Sequence, residues 1–305
     1  MNAVSSQPRN EEKRGFWFGL GAYGLWGVLP IYFKAVDEIG SIDIVAHRVL
    51  WSVPFLFLLL FTFGGARELR RVVREPRTIG FLAVTALLIA TNWLLYVYAV
   101  VSGHILAGSL GYYLNPLVNV LMGRLILKEK LSWLQWAAVA IAAVGVSGLA
   151  FQAAGQLWIS LILAVTFATY GLMRKIAPVE ATAGLTVETT LILPLALAWL
   201  GWGLAQGLPV FGTTDVETTL LLLAGVATTV PLILFTAAAR RLRYSTLGML
   251  QFIAPTLQFL IAVVIYGEAF TGWHAVAFGS IWLALALYVI ALARHSRAAA
   301  VTVPE

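Results

Sequence analysis

Few polar side chains in this chain interrupt its apolar runs, so those few are where chemistry can sit. His47, Arg48 and Trp51 occupy the opening turns of a run over 43–63. At helical spacing, 47/51 and 48/51 are neighbours. Ionisable groups at membrane depth usually face a protein interior or an aqueous path. Arg48 is therefore a candidate substrate contact; the alternative is snorkelling to the outer headgroups from only a turn or two deep. His47 is a candidate proton relay, or else a histidine packed at headgroup level. A run over 78–101 carries Asn92, Trp93, Tyr96 and Tyr98. Asn92, Tyr96 and Ala99 are three or four apart and share a face, with Trp93 beside it. That face can give a substrate an aromatic wall with a polar handle, or serve only as packing or an interface belt.

Pro116 and Pro255 fall near the middle of the runs 104–127 and 244–266. A proline leaves the carbonyl four residues earlier, here at Tyr112 and Gln251, without its helical donor. Such carbonyls must face protein or water in a bilayer, which predicts a pair of kinked helices. Asn115, Asn119, Gln251 and Gln258 lie at the same depth, and Gly108, Gly111 and Gly248 permit close helix approach. Two arrangements fit. In one, the kinked helices line a central cavity where Tyr112, Asn115, Gln251 and Gln258 touch substrate. In the other, the prolines only shape a bundle whose amides bond between helices.

Glu188 is the one acid clearly within an apolar run. It is a candidate coupling residue, able to take a proton in one conformation and release it in another. It could also attract a cationic substrate or Na⁺, or simply favour a helix N-terminus. Arg48 and Glu188 each lie about five residues from a helix start, on opposite leaflets. At about 1.5 Å per residue they are about 8 Å from opposite faces, roughly 15 Å apart in depth. That separation predicts two groups guarding opposite mouths rather than an ion pair.

The elements that hold these groups follow from composition. The 305 residues are 60% hydrophobic and only 11% charged, with mean hydropathy +0.88. Soluble domains are nearer half apolar and about one-quarter charged, so lipid must be the main solvent here. Apolar runs cover 16–34, 43–63, 78–101, 104–127, 131–150, 155–174, 183–203, 216–239, 244–266 and 272–294. Each approaches the about 20 residues that cross a hydrocarbon core of about 30 Å. Their continuity argues for helices, because barrel strands alternate. The first run is read as a span and not a cleaved signal peptide, for want of a small-residue cleavage site. The fold class is an all-α integral membrane protein with ten transmembrane helices.

Charge orients the spans. Of the twenty Lys and Arg residues, all but Lys34 and Arg48 fall in alternating connections. They gather at Arg9, Lys13 and Arg14; at 67–77; at Arg124, Lys128 and Lys130; at Arg174 and Lys175; at Arg240, Arg241 and Arg243; and at Arg294 and Arg297. The intervening connections hold acids: Asp37, Glu38 and Asp43, then Asp215 and Glu217. The positive-inside rule places both termini in the cytoplasm. The net charge of +6 is scattered over short loops with no basic stripe, so nucleic acid is not an expected partner. These residues read as topology signals facing anionic headgroups of the bilayer.

The chain also repeats itself. Residues 91–131 fall on 230–270 at a shift of 139 without a gap, setting Leu95 on Leu234, Pro116 on Pro255 and Glu129 on Glu268. A shift of 140 sets Pro54 on Pro194 and Arg48 on Glu188. Each half then has five spans, and an odd number inverts the second half. The predicted layout is a cytoplasmic tail over 1–15, a five-helix repeat over 16–150, its inverted partner over 151–294 and a cytoplasmic tail over 295–305. Inverted repeats are typical of secondary transporters, with substrate near the midplane.

Enzyme signatures are missing. There is no phosphate-binding loop, and no carboxylate cluster to hold a metal for phosphoryl transfer. Gly108-Ser109-Leu110-Gly111 lacks the strand–turn–helix context of a nucleophile elbow. With no cysteine there is no thiol nucleophile and no Cys-based metal site. No enzyme, cofactor or metal is expected, and oligomeric state is unreadable.

The segments GAYGLWGVLPIYFK (21–34), DIVAHRVLWS (43–52), TNWLLYVYAV (91–100), SLGYYLNPLVNVLMGRLILKEKLS (109–132) and LRYSTLGMLQFIAPTLQFLIAVVIYGEAF (242–270) carry a resemblance. Together they resemble the drug/metabolite transporter superfamily, in its EamA branch, and within it the RarD-type permeases associated with chloramphenicol sensitivity. The resemblance implies a 5+5 inverted-repeat bundle in the bacterial inner membrane and a permease role, and it supplies no substrate. The combined expectation is a secondary transporter for a small metabolite or drug, working by alternating access with a proton or sodium as coupling ion. A passive channel or facilitator is the alternative, and an intramembrane enzyme a third reading.

Overall fold

The computed structural model describes residues 7–36, 38–101, 105–152, 155, 157–267 and 272–301, and every regular element among them is helical. The helices are α1 (Gln7–Lys34), α2 (Ser41–Thr62), α3 (Ala66–Val73), α4 (Pro76–Val101), α5 (Ile105–Leu125), α6 (Trp133–Gln152), α7 (Leu157–Ile176), α8 (Ala181–Ala205), α9 (Asp215–Arg241), α10 (Tyr244–Gln251), α11 (Ile253–Leu260) and α12 (Gly272–Val301). Seven stretches among the described residues are long and apolar enough to cross a bilayer: α1, α2, α4, α7, α8, α9 and Tyr244–Ile265. Shorter apolar helices cover Trp133–Gly148 and Ala275–Ala291. The chain is a multi-pass membrane protein. Large side chains such as Leu87, Val144, Leu195 and Val264 point outward, as expected where lipid replaces water.

Two features depart from the sequence expectation. The arginine-rich connection over 64–77 folds its first part into α3, because Val72 packs inward with Leu60, Leu82 and Val179 while the arginines point out. The run over 244–266 is not one helix. α10 stops at Gln251, α11 follows after Phe252, and a π-helical turn covers Ile261–Ile265. Pro255 gives Gln251 no donor, and the Phe252 N–H turns back to the Met249 carbonyl, three residues away, at 3.3 Å. Paired kinks were expected, yet α5 passes through Pro116 as one continuous helix. Each proline leaves one carbonyl without its helical donor, and only in the later member of the pair does the helix divide.

Helix ends are tied by side chains. Thr214 and Glu217 form a capping box at the start of α9. Glu129, just past α5, accepts from the Tyr244 N–H at 2.6 Å and from the Ser245 N–H and hydroxyl at 3.0 and 2.6 Å. It thereby caps α10 from the other half of the chain. Its partner under the repeat, Glu268, lies outside the described residues.

Helix pairing between the halves follows a pattern. α2 packs on α8, α5 on α10, and α6 on α12. α1 packs on α9 and α4 on α7; α5 packs on α7 and α1 on α11; α2 packs on α9 and α4 on α8. The tightest crossing is α2 on α9. A Cβ on Gly225 would lie 2.6 Å from the Ser52 nitrogen, and the Ser52 hydroxyl donates to the Arg48 carbonyl at 2.5 Å and lies 3.3 Å from that of Gly225. Only a glycine lets the two backbones meet.

Candidate functional site

That glycine contact brings Arg48 to the middle of α9. Its Nε donates to the Thr228 hydroxyl at 2.8 Å, and that hydroxyl donates in turn to the Ala224 carbonyl at 2.8 Å. The guanidinium carbon sits 5.2 Å from the Trp93 ring centroid and 5.9 Å from that of Phe33. Tyr32, Tyr96 and Tyr112 are close enough to feel its charge. Tyr96 and Tyr112 meet edge to face at 5.4 Å, and both stay partly exposed, as does Arg48. Elements α1, α2, α4, α5 and α9 thus converge on one arginine.

His47 next door is fully buried and fully engaged. Its Nε2 is 2.6 Å from the Val210 carbonyl, and its Nδ1 accepts from the Trp51 indole at 3.2 Å. A carbonyl can only accept and an indole N–H can only donate, so the ring is held as the Nε2–H tautomer. This arrangement anchors the 206–214 connection to α2.

Glu188 belongs to a separate cluster. The Thr85 hydroxyl donates to it at 2.5 Å, Tyr170 at 3.3 Å and Arg174 Nη1 at 3.2 Å. Arg174 Nη2 also reaches the Ala181 carbonyl at 3.0 Å. Arg174 and Glu188 are 0% and 1% exposed. A Cβ on Gly184 would overlap the guanidinium, so glycine makes the room for it. Arg174 was expected at a cytoplasmic loop facing headgroups; it is instead a buried partner. A lone in-span carboxylate needs a counter-charge, and that requirement was the available signal. Glu188 and Arg48 hold different partners.

The amides divide by use. Asn92 donates to the Leu163 carbonyl at 2.9 Å and to Thr166 at 3.0 Å. That ties α4 to α7, on the face where Tyr96 and Ala99 also pack against Leu163. Gln258 donates to the Trp26 carbonyl at 3.0 Å, fastening α11 to α1. Asn119 donates to the Gln251 side chain at 2.8 Å, joining α5 to α10 inside the bundle. A Cβ on Gly248 would meet Asn119 Cβ at 2.7 Å and the Pro116 carbonyl at 2.9 Å, so this crossing too depends on a glycine. Asn115, one turn after Tyr112, is fully buried, and neither its oxygen nor its nitrogen has a partner.

The basic residues near the helix ends also do more than mark topology. Arg71 donates to the Pro178 carbonyl at 2.7 Å, Lys175 to Ala239 at 2.9 Å, and Arg240 and Arg243 to Val179 and Lys130. Ala239 is in the last turn of α9, where carbonyls have no helical donor; the other three acceptors lie in the connections after α7 and α5. Among the described residues no group of three or more His, Asp or Glu is placed to hold a metal ion.

Residues 13–151 match the model of the EamA-like transporter family. The chain is 48% identical to an uncharacterized transporter of Pseudomonas aeruginosa, over 90% of this chain and 93% of that one. It is 42% identical to Protein RarD of Escherichia coli, over 92% and 95% of the two chains. It is 34% identical to the chloramphenicol-sensitive protein RarD of P. aeruginosa, over 90% and 93%. A crystal structure 21% identical in sequence shares the fold, with a TM-score of 0.71 over 92% of this chain and 98% of that one. With relatives matched along nine-tenths of its length, several of them named RarD, the chain belongs to the EamA-like transporter family.

Proposed function

We propose that this protein is a secondary transporter that moves a small organic molecule across the bacterial cytoplasmic membrane by alternating access, coupled to a proton or sodium gradient. In this reading the seven long apolar stretches are joined by α5, α6 and α12 to make ten crossings, five per half, with both termini cytoplasmic. The helix pairing carries it. Exchange the halves, so that α1, α2, α4, α5 and α6 swap with α7, α8, α9, α10/α11 and α12. Every pairing named above then maps onto itself or onto another on the same page. That is the behaviour of two inverted repeats about an axis in the membrane plane.

The same exchange suggests how access alternates. Under the 139-residue shift Asn119 corresponds to Gln258 and Tyr112 to Gln251. The bond between Asn119 and Gln251 therefore has a counterpart between Gln258 and Tyr112. That counterpart is unmade here, and Gln258 holds the Trp26 carbonyl instead. Swapping one contact for the other would close one mouth and open the opposite one, with the site around Arg48, Tyr96, Tyr112 and Asn115 between them.

Single cysteines at 115 and 251 test this reading, with no native thiol to confuse labelling. In proteoliposomes both should react with small water-soluble thiol reagents, and cargo should protect them. Cargo is found by comparing metabolites taken up and released by vesicles with and without the protein under imposed proton or sodium gradients. Inertness at both positions in folded protein would make the amides packing groups. Flux that neither saturates nor follows a gradient would make the protein a passive facilitator.

A further inference from the structure

The molecule treats its two inward-facing arginines differently. Arg174 has a carboxylate and a carbonyl on its terminal nitrogens. Arg48 has five N–H donors and places one of them, Nε–H, on Thr228. Among the described residues its Nη1 and Nη2 have no hydrogen-bond partner, and no carboxylate pairs with it. Nor are they sealed off: Arg48 is partly exposed, and neither nitrogen is among the buried atoms left without a partner. The outer edge of the guanidinium therefore keeps some accessible surface, while Trp93 and Phe33 flank it. An aromatic flank lowers the cost of holding an arginine away from bulk water, but it does not neutralise the charge.

We infer that Arg48 is the docking point for an anionic group of the cargo, and that the cargo is an organic monocarboxylate with a ring-sized apolar body. This rests on the transport reading above. The free edge of a guanidinium presents two parallel N–H groups that match the two oxygens of a carboxylate. Thr228, held by its own bond to Ala224, fixes the fork's orientation from behind. Among the described residues, the ionisable groups that feel its charge are Tyr32, Tyr96 and Tyr112. One positive charge suits a monoanion; a phosphate dianion would call for a second cation. Among the described residues the Tyr96 and Tyr112 hydroxyls have no hydrogen-bond partner, and they can add donors to the same carboxylate. Their edge-to-face rings form an aromatic wall against which an apolar body can lie. Asn115, buried with its amide unbonded one turn along α5 from Tyr112, offers one more polar contact on that face.

The test uses single cysteines in place of Tyr112 and, separately, Tyr96 in proteoliposomes. Each is labelled with the anionic sulfonatoethyl and the cationic trimethylammonioethyl methanethiosulfonates. Rates are normalised to those of a free small thiol, and the ratio of anion to cation labelling is the readout. Arg48→Gln should lower that ratio about tenfold or more at either position, because one unit charge at close range acts oppositely on the two reagents. Arg48→Lys should preserve it. Protection is then compared for 3-phenylpropanoate, 3-phenylpropanamide and 3-phenylpropylamine, which share one skeleton and differ in charge. Only the carboxylate should slow labelling, and Arg48→Gln should abolish that protection. Arg48→Lys should weaken it, since the charge remains but the fork does not. A labelling ratio unmoved by Arg48→Gln, or protection by the amide or amine equal to that by the carboxylate, would overturn the anion assignment and leave the central site intact. Failure of both cysteines to react with either reagent would instead overturn the aqueous site itself.

Discussion

Replacing Glu188 by Gln removes one charge from a pair that water does not reach. The partners lie 3.2 Å apart at 0% and 1% exposure. Their attraction is about 5 kcal/mol at an effective dielectric constant near 20, and larger in a drier setting. Most of that is offset by the cost of bringing both ions out of water, so the net value of the pair is small. The cost of breaking it is not, because the survivor stays buried and charged. Glu188→Gln leaves the Arg174 guanidinium with neutral acceptors only, the amide oxygen and the Ala181 carbonyl, and the expected loss is about 3–5 kcal/mol. Arg174→Gln should cost a similar amount, leaving Thr85 and Tyr170 as the carboxyl's donors. The double variant should be no worse than either single one, a coupling of about 3–5 kcal/mol. Reversible unfolding in bicelles, read by steric trapping of two biotin tags, measures all four corners of the cycle. Additive single effects, or losses below about 0.5 kcal/mol each, would refute a coupled buried pair. The same variants address ion coupling. If Glu188 carries the coupling proton, Glu188→Gln liposomes should lose gradient-driven accumulation yet keep substrate exchange, once folded protein is equalised using the measured stabilities. Normal pH-driven accumulation would leave Glu188 with a structural role only.

Further expectations follow from other contacts. Reporters at 70, 128, 175 and 241 should read cytoplasmic, and at 38, 153, 210 and 269 external; a reversal at 128 or 241 in reporter activity would break the ten-span layout. Gly225→Val should push α2 off α9 and cost about 2–4 kcal/mol, in the range of other core overpacking and backbone clashes. It should also release Arg48 from Thr228, seen as altered Trp93 fluorescence. A cysteine pair at 119 and 251 should cross-link readily and block transport, whereas a pair at 112 and 258 should cross-link only in the opposite-facing state. Equal yields for both pairs in one trapped state would discredit the proposed exchange. Outside the membrane, the hydrogen bond from Arg71 holds the Glu68 carboxyl below the usual carboxylate range. A lowered folded-state value contributes stability at neutral pH that is lost as acid protonates Glu68. With the pair 21% and 50% exposed the effect should stay under about 1 kcal/mol. Hydrogen exchange in α3 should rise modestly towards pH 4, and exchange independent of pH would show that the pair does not hold α3.

Much of the fold is legible because lipid makes periodic demands on sequence. Long apolar runs had to be helices, and the short links between them left little room for anything else. α3 was less visible, since its arginines dominate its composition and only Leu69 and Val72 mark an inward face. The break at Phe252 followed from Pro255, but nothing in the sequence separates it from Pro116, through which α5 runs unbroken. The site was read by residue type and half by partner. Arg48 stood out as an arginine inside an apolar run, and its aromatic setting was foreshadowed by Trp93 and Tyr96. Asn92 and His47 share that signature, yet they turn to the Leu163 and Val210 carbonyls. Partner choice depends on helix rotation, which hydropathy leaves open. Arg174 was misplaced because a cation at a span's end looks the same whether it turns outward to headgroups or inward to a carboxylate.

The Arg174–Glu188 pair also bears on how the chain is made. The two residues are 14 apart in sequence, on either side of the short connection between α7 and α8. A nascent helix that partitions into lipid alone would carry its charge without a partner, at about 2.5–3.5 kcal/mol for an arginine or an aspartate at the helix centre on insertion scales. If α7 waits in the translocon for α8, guanidinium and carboxylate meet before either faces acyl chains, and one hairpin enters the bilayer with its charge already cancelled. The pair would then set the order of assembly, making α7 and α8 a single unit of insertion that forms while the ribosome is still adding α9.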